Sequence, residues 1–273
     1  MIRHQPAGLI RFYSSEVEDD DMKDSTQRFS NRVDNYILYR PCYPQGVFET
    51  LKTRCQLSET SIIADIGSGT GILAEEFLRL GCLVYGVEPN QQMREAGERL
   101  LKKYDRFRSI SGTAEETTLA RESFDFVTAG QAFHWFDPEK ARGEFQRILK
   151  QSCWVVLVWN ERRGAAYPLG NDYEKLLEAF ATDYAKVSHK QFDDQVLGAF
   201  LGKDFQSETF ENSQSFDFEG LKGRLLSSSY SPEAGQPGYD LMLSELRRIF
   251  DAHQTDGRVD LLYETNLYYG RLK

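Results

Sequence analysis

The sequence predicts an α/β fold: a doubly wound, mostly parallel sheet of seven strands, helices on both faces. Three observations predict it. Between residues 61 and 159, apolar runs of strand length alternate with stretches of helical periodicity, the pattern of a parallel sheet covered on both sides. The first apolar run leads directly into Asp65-Ile66-Gly67-Ser68-Gly69-Thr70-Gly71, a glycine turn that opens a helix. The residues Gly67, Glu88, Thr113, Gln131 and Asn160 each follow a strand segment, on the carboxyl edge where open α/β sheets bind ligands.

Residues 1–27 read as a mobile tail with an acidic run from Glu16 to Asp24. The first strand, Ser61 to Ile66, turns through the glycines into a helix from Ile72 to Leu80 that Gly81 ends. Leu83 to Val87 is the second strand, and a helix then runs to about Tyr104. Phe107 to Ile110 is the third strand and Phe124 to Ala129 the fourth. Asp137-Pro138 starts the next helix, with Asp as N-cap and Pro at the first helical position. Its apolar positions Ala141, Phe145, Ile148 and Leu149 keep helical spacing. Cys153 to Trp159 is the fifth strand.

Residues 161–206 read as a helical insertion, with Tyr173, Leu176, Leu177, Phe180 and Tyr184 at helical spacing. The insertion would form the acceptor-side wall, and for those five residues packing is the reading preferred to substrate contact. The chain then returns to the sheet over residues 207–273: a strand from Glu208 to Phe218, helices from Glu219 to Ser229 and from Tyr239 to Ala252, and a closing strand from Val259 to Tyr269.

The glycine turn is a cofactor loop. Glycine admits positive φ and lets a ligand approach bare backbone, and a helix start offers unpaired N–H groups. A dinucleotide loop would read G-x-G-x-x-G, but position 72 is Ile and the third glycine is Gly71. Asp65 stands two residues before Gly67, where a carboxylate lies poorly beside a pyrophosphate but suits an ammonium or sulfonium. Glu88, at the tip of the second strand, is placed to hold a ribose diol, an expectation common to both cofactor types. Pro89 follows it. Met93, one turn into the next helix, is placed either to pack on an adenine ring or to face the core.

This glycine pattern resembles motif I of the class I S-adenosylmethionine-dependent methyltransferases. Phe124-Asp125 before the fourth strand, then Gln131-Ala132-Phe133-His134-Trp135-Phe136, resembles the small-molecule branch of that family, the type 11 and trans-aconitate methyltransferase-like proteins. So does Tyr36-Ile37-Leu38-Tyr39-Arg40-Pro41-Cys42-Tyr43-Pro44, which in that branch forms an N-terminal lid. The resemblance covers residues 28–160 well. It implies a Rossmann-like methyltransferase fold, an antiparallel hairpin at the sheet edge, and residues 28–160 as the cofactor-binding core with its lid. It also places the adenine pocket at Thr113, Ala114 and Glu115, and assigns Asp65, Gly67, Ser68, Gly69, Gly71, Glu88, Pro89, Met93 and Gln131 to S-adenosylmethionine. Tyr36 and Arg40 would hold the cofactor's carboxylate, Arg40 by a charge-assisted pair.

The reaction implied is direct SN2 displacement, in which the enzyme aligns an acceptor atom with a methyl already on a good leaving group. His134 is the candidate base or acceptor-orienting residue, against the alternative of a structural His bonded to backbone. On the acceptor side stand Trp135, a candidate for cation–π contact with the sulfonium, and Arg162, Arg163, Arg224 and Tyr230 with Ser227-Ser228-Ser229. A local basic cluster would steer a carboxylic acid into a chain of net charge -9. Solvated surface is the alternative for Arg162 and Arg163.

Composition bounds the rest. With 273 residues, 40% hydrophobic and 27% charged, the chain suits one globular unit with a sizeable core. The acidic balance argues against nucleic acid. No apolar run approaches membrane-spanning length. Cys42, Cys55, Cys82 and Cys153 are scattered without a C-x-x-C, which points to a reducing cytoplasm and to no metal. The expected protein is cytoplasmic, a monomer or homodimer, with a small-molecule partner. Two other readings stay open at this stage: an NAD-dependent oxidoreductase, and a non-catalytic S-adenosylmethionine-binding protein.

Overall fold

The computed structural model describes residues 32–181 and 194–272. The acidic tail and Tyr184 lie outside the described residues. Seven strands form one sheet in the order β3-β2-β1-β4-β5-β7-β6. The strands are β1 (Ile62–Ile66), β2 (Leu83–Val87), β3 (Phe107–Ile110), β4 (Phe124–Gly130), β5 (Leu149–Arg162), β6 (Gln206–Phe216) and β7 (Val259–Arg271). The first five pair in parallel, β1 with β2 and β4, β2 with β3, and β4 with β5. The chain order therefore reverses at β1, the switch point beside which such sheets take their ligands.

The helices are α1 (Val33–Tyr39), α2 (Gln45–Cys55), α3 (Ile72–Arg79), α4 (Gln91–Leu101), α5 (Pro138–Ile148), α6 (Pro168–Phe180), α7 (Asp194–Leu201), α8 (Phe218–Leu226) and α9 (Tyr239–His253). Side-chain alternation along the strands splits the core in two. Ile63, Val84, Phe126, Val156 and Val158 face α2 and α3, packing on Val47, Phe48, Leu51 and Phe77. Ala64, Ile66, Val127, Val155 and Leu157 face the other way, onto Phe145 and Ile148 of α5 and Leu197, Phe200 and Leu201 of α7. This double burial explains why these strands read as continuous apolar runs.

A third apolar cluster joins α6, α8 and α9 with the far ends of β6 and β7, around Tyr173, Leu177, Leu221, Leu246 and Tyr263. The segment after β5 thus divides. Helix α6 enters this third cluster, while α7 returns to the sheet face beside α5. Tyr173, Leu176 and Leu177 are core residues, as their spacing suggested.

The edge pair is antiparallel, β7 running against both β5 and β6. Its two strands are joined not by a tight turn but by residues 217–258, which carry α8 and α9. Strand β5 runs on to Arg162 because β7 pairs with it throughout, Trp154 opposite Arg271 and Arg162 opposite Tyr263. No helix among the described residues is long and apolar enough to cross a membrane.

Candidate active site at the carboxyl edge of the sheet

The glycine turn leaves β1 with Gly67, Gly69 and Gly71 all at positive φ, and Gly71 forms the N-cap of α3 at φ 88°. A side chain at Gly67 would strike the Ala132 methyl 2.6 Å away, so the turn is closed to any other residue. The amides of Gly67 and Ser68 donate to Val87 O at 2.8 and 3.1 Å, stitching the turn to the end of β2.

Glu88 stands at that end. Its Oε2 accepts from the Gly69 amide at 2.9 Å and its Oε1 from the Asn90 amide at 2.8 Å. Burial pushes its carboxyl up, against the pull of those two amides. Asn90 also caps α4 through the Met93 amide. Met93 is buried, its methyl group 3.4 Å from where a side chain on Gly69 would begin. Glu88, Pro89 and Met93 therefore sit together against the glycine turn.

After β3 the chain closes a small turn, Thr113 N donating to Glu116 O and Glu116 N to Thr113 Oγ1, both at 3.1 Å. Ala114 is buried in it. Glu115 Oε1 accepts from the Asp137 amide at 2.9 Å, which ties this turn to the start of α5.

Asp65 lies inside β1, only 1% exposed. Thr128 Oγ1 on β4 donates to its Oδ1 at 2.8 Å, and its Oδ2 is buried with no hydrogen-bond partner. Burial pushes the carboxyl up to about 7, with the Thr128 bond and the nearby Ala74 amide opposing the rise and the neighbouring Glu88 adding to it. An orphaned buried carboxylate oxygen is costly unless a cation or donor meets it.

A cleft opens beside Asp65, its walls including Tyr36, Arg40, Asp65, Gly67, Ser68 and Gln131. The sequence between α1 and α2 folds over it. Arg40 lies on the Tyr36 ring at 4.7 Å and donates through Nη2 to Ser227 O at 2.9 Å. Its Nε is buried without a partner, and burial pushes its guanidinium down. Gln131 holds φ 56°, unusual for a residue other than glycine, because its side chain clamps Asn160: Oε1 accepts from Asn160 N at 2.5 Å.

The residues fit the cofactor that the resemblance implies. Asp65 Oδ2 is an acceptor for an ammonium, Arg40 Nε a donor for a carboxylate, and Glu88 a carboxylate for a diol.

One wall residue, Tyr43, and one neighbour of His134, Trp159, escaped the sequence reading. Tyr43 packs its hydroxyl over Gly130, where any side chain would collide with it. Trp159 forms an edge-to-face contact with His134 at 5.0 Å. The Tyr43 segment was in view without a signal singling out its phenol, and Trp159 read as one more strand residue.

His134 and Trp135 stand on a single 3-10 turn, Phe133–Trp135, just after Gln131. Their rings lie 4.3 Å apart, and neither lines the cleft itself. Phe133 is a core residue, packed on Phe200 and Phe136.

The acceptor-side arginines separate. Arg163 pairs loosely with Glu264 and Glu211 at 3.6 and 3.7 Å on the surface. Arg162 Nε binds Glu174 at 2.8 Å and its Nη1 donates to Tyr230 Oη at 3.2 Å. Arg224 is 3% exposed, donating to Tyr263 Oη at 3.1 Å and to the Ser227 and Ser228 hydroxyls at 3.4 and 3.3 Å.

Comparison with known proteins agrees with this geometry. A family model described as a methyltransferase domain matches residues 64–157, from β1 to β5. An uncharacterized methyltransferase of Schizosaccharomyces pombe is 33% identical over 201 residues, covering 73% of this chain and 77% of the relative. A second fission-yeast protein, named an uncharacterized methyltransferase-like protein, is 27% identical over 241 residues, 87% of this chain and 92% of its own. Among solved structures, a phosphoethanolamine N-methyltransferase of Haemonchus contortus, with phosphomonomethylethanolamine and S-adenosylhomocysteine bound, superposes with a TM-score of 0.55 at 18% identity. It covers 93% of this chain and 59% of that one, and shares the fold. From β1 to the carboxyl edge of the sheet, the chain belongs to the methyltransferase family, whose methyl donor is S-adenosylmethionine.

Proposed function

We propose that this protein transfers a methyl group from S-adenosylmethionine to a small-molecule acceptor by direct SN2 displacement, and that the acceptor is a carboxylic acid. The observation that carries the reading is Asp65, a residue of the cleft wall whose Oδ2 is buried without a hydrogen-bond partner. When bound, the cofactor supplies a methyl group on a positively charged sulfur.

The chain's own residues then have separable tasks. Asp65 receives the ammonium, and Tyr36 and Arg40 receive the carboxylate. Glu88 takes the ribose hydroxyls, with Pro89 and Met93 beside it. Thr113, Ala114 and Glu115 border the adenine, and Ser68, Gly69 and Gly71 give the turn its path. Gln131 fixes the far wall through Asn160. His134, against Trp135 and Trp159, orients the acceptor or takes its proton. Arg162 and Arg224, with Tyr230, support the acidic acceptor. The protein would work in the cytoplasm, where its four free cysteines stay reduced.

The test is calorimetric titration with S-adenosylmethionine, S-adenosylhomocysteine and NADH. Saturable binding of the first two and none of the third supports the reading and justifies an acceptor screen that begins with small carboxylic acids. Binding of NADH alone overturns it.

A further inference from the structure

On the sheet face that carries α2 and α3, the inward positions are apolar along Val156 and Val158 of β5 and at Leu267 of β7. The next inward position on each strand is polar. These are Asn160 and Thr265, register partners that are 6% and 0% exposed. Residues two apart on a strand share a face, so Asn212 and Gln214 of β6 stand on the same side as Thr265. Four polar side chains thus interrupt an apolar face where β5 ends.

They meet the chain segment between α1 and α2. Asn160 Nδ2 donates to the carbonyls of Pro41 and Cys42 at 3.5 and 3.3 Å. Asn212 Nδ2 donates to the same Cys42 carbonyl at 2.8 Å, and Gln214 Nε2 to Tyr39 O at 3.2 Å. Asn160 Oδ1 accepts from the Thr265 hydroxyl and from Asn212 Nδ2. The backbone is extended at Arg40 and at Pro44, so this strap is held from the sheet and not by a helix of its own.

Asn160 also reaches the opposite wall. Its amide donates to Gln131 Oε1, and its carbonyl accepts from Gln131 Nε2 at 3.4 Å. Arg40, Pro41, Tyr43 and Gln131 line the cleft, and Asn160 does not. One buried residue is therefore bonded through its backbone to one wall and through its side chain to the other. The position needs a primary amide, which donates on one side while it accepts on the other. An ionised aspartate has no donor, and an aliphatic chain has neither. A buried polar network that is bonded throughout rigidifies what it holds.

We propose that Asn160, helped by Asn212, is a positioning residue: it holds the strap of residues 39–43 over the cleft and so places Arg40 for the carboxylate of the cofactor. The inference rests on the methyltransferase reading for its use.

The test is calorimetric titration of the full chain with S-adenosylhomocysteine and with 5′-methylthioadenosine, which keeps the nucleoside but lacks the amino-acid carboxylate and ammonium. Asn160→Asp keeps the accepting oxygen and, ionised, loses the donor to Pro41 and Cys42. Asn212→Ala removes the 2.8 Å bond from a half-buried position. Each should weaken S-adenosylhomocysteine about 10-fold, as loss of a buried hydrogen bond does, and leave 5′-methylthioadenosine unchanged. Thr209→Val, which breaks an exposed pair with Asn266 on the same strand, should change neither. Hydrogen exchange over residues 39–43 should quicken in Asn160→Asp and Asn212→Ala, while β1 and β4 keep their rates. Equal weakening of both ligands marks a general loss of the cleft and overturns the positioning role, as does wild-type S-adenosylhomocysteine affinity in either variant. If Asn160→Asp does not fold, Asn212→Ala decides by the same outcomes. A wild-type chain that binds neither ligand overturns the proposed function instead. Hydrogen exchange then judges the strap alone: faster exchange over residues 39–43 in the variants supports the hold of Asn160 and Asn212 on it, and unchanged exchange overturns it.

Discussion

Thr128 and Asp65 are register partners on adjacent parallel strands, and the threonine hydroxyl satisfies one carboxylate oxygen at 2.8 Å while the other stays buried without a donor. The pair lets a carboxylate remain inside the sheet with half of its hydrogen-bonding capacity held for a ligand.

A pH dependence follows. The Asp65 carboxyl, ordinarily near 3.8, is pushed up to about 7 in the folded protein. A raised folded-state value means that the neutral form is favoured. Its contribution to stability is complete below about 3.8 and is lost as pH rises through about 7. The full shift corresponds to at most about 4 kcal/mol. Thermal unfolding of the ligand-free protein from pH 4 to pH 8 should show this decline, and Asp65→Asn should flatten it. S-adenosylhomocysteine, whose ammonium prefers the ionised carboxylate, should bind more tightly as pH rises across the same window, and that rise should vanish in Asp65→Asn.

Glu88→Ala removes the carboxylate assigned to the ribose and frees the Gly69 and Asn90 amides. Loss of hydrogen bonds to a charged group costs about 1.5–3 kcal/mol. Calorimetry should therefore show S-adenosylhomocysteine affinity reduced about 10- to 150-fold. An unchanged affinity would remove Glu88 from the cofactor site.

Gly130→Ala places a methyl group against the Tyr43 hydroxyl. Cofactor affinity should fall, because the tyrosine forms part of the cleft wall. Tyr43→Phe in the same chain removes the colliding oxygen and should restore part of the loss. A double-mutant cycle that comes out additive would contradict the contact.

Phe77→Ala empties a fully buried site between α3 and the sheet, where the ring meets Phe48 edge-on. Denaturant unfolding should show a loss of about 3–5 kcal/mol.

Much of the fold was legible because each strand from β1 to β5 carries its own local signal. The spans Leu83–Val87 and Phe107–Ile110 agree with their apolar runs to the residue. The glycine turn was legible because Gly67, Gly69 and Gly71 meet a local backbone demand. What escaped depends on distance along the chain. The contact of Tyr43 with Gly130 joins the lid to β4, and Trp159 meets His134 across two strand ends. Nothing local marks either. The sequence reading had grouped Arg162 and Arg224 with Tyr230 and the Ser227-Ser228 turn, but not Arg40, whose bond to Ser227 O joins the lid to a turn that no periodicity describes. Arg163, just past the end of β5, pairs with Glu264 and Glu211 instead and stays outside this group.

Strand β7 follows β6 in the chain but lies inside it, between β5 and the sheet edge. On a ribosome, therefore, β6 emerges before the strand that must separate it from β5, and both are left with bare hydrogen-bonding edges until residues 259–271 arrive. The interval spans the whole of α8 and α9. A pause in translation within that stretch would present two unpaired strands to other chains, making this the moment of greatest exposure to aggregation.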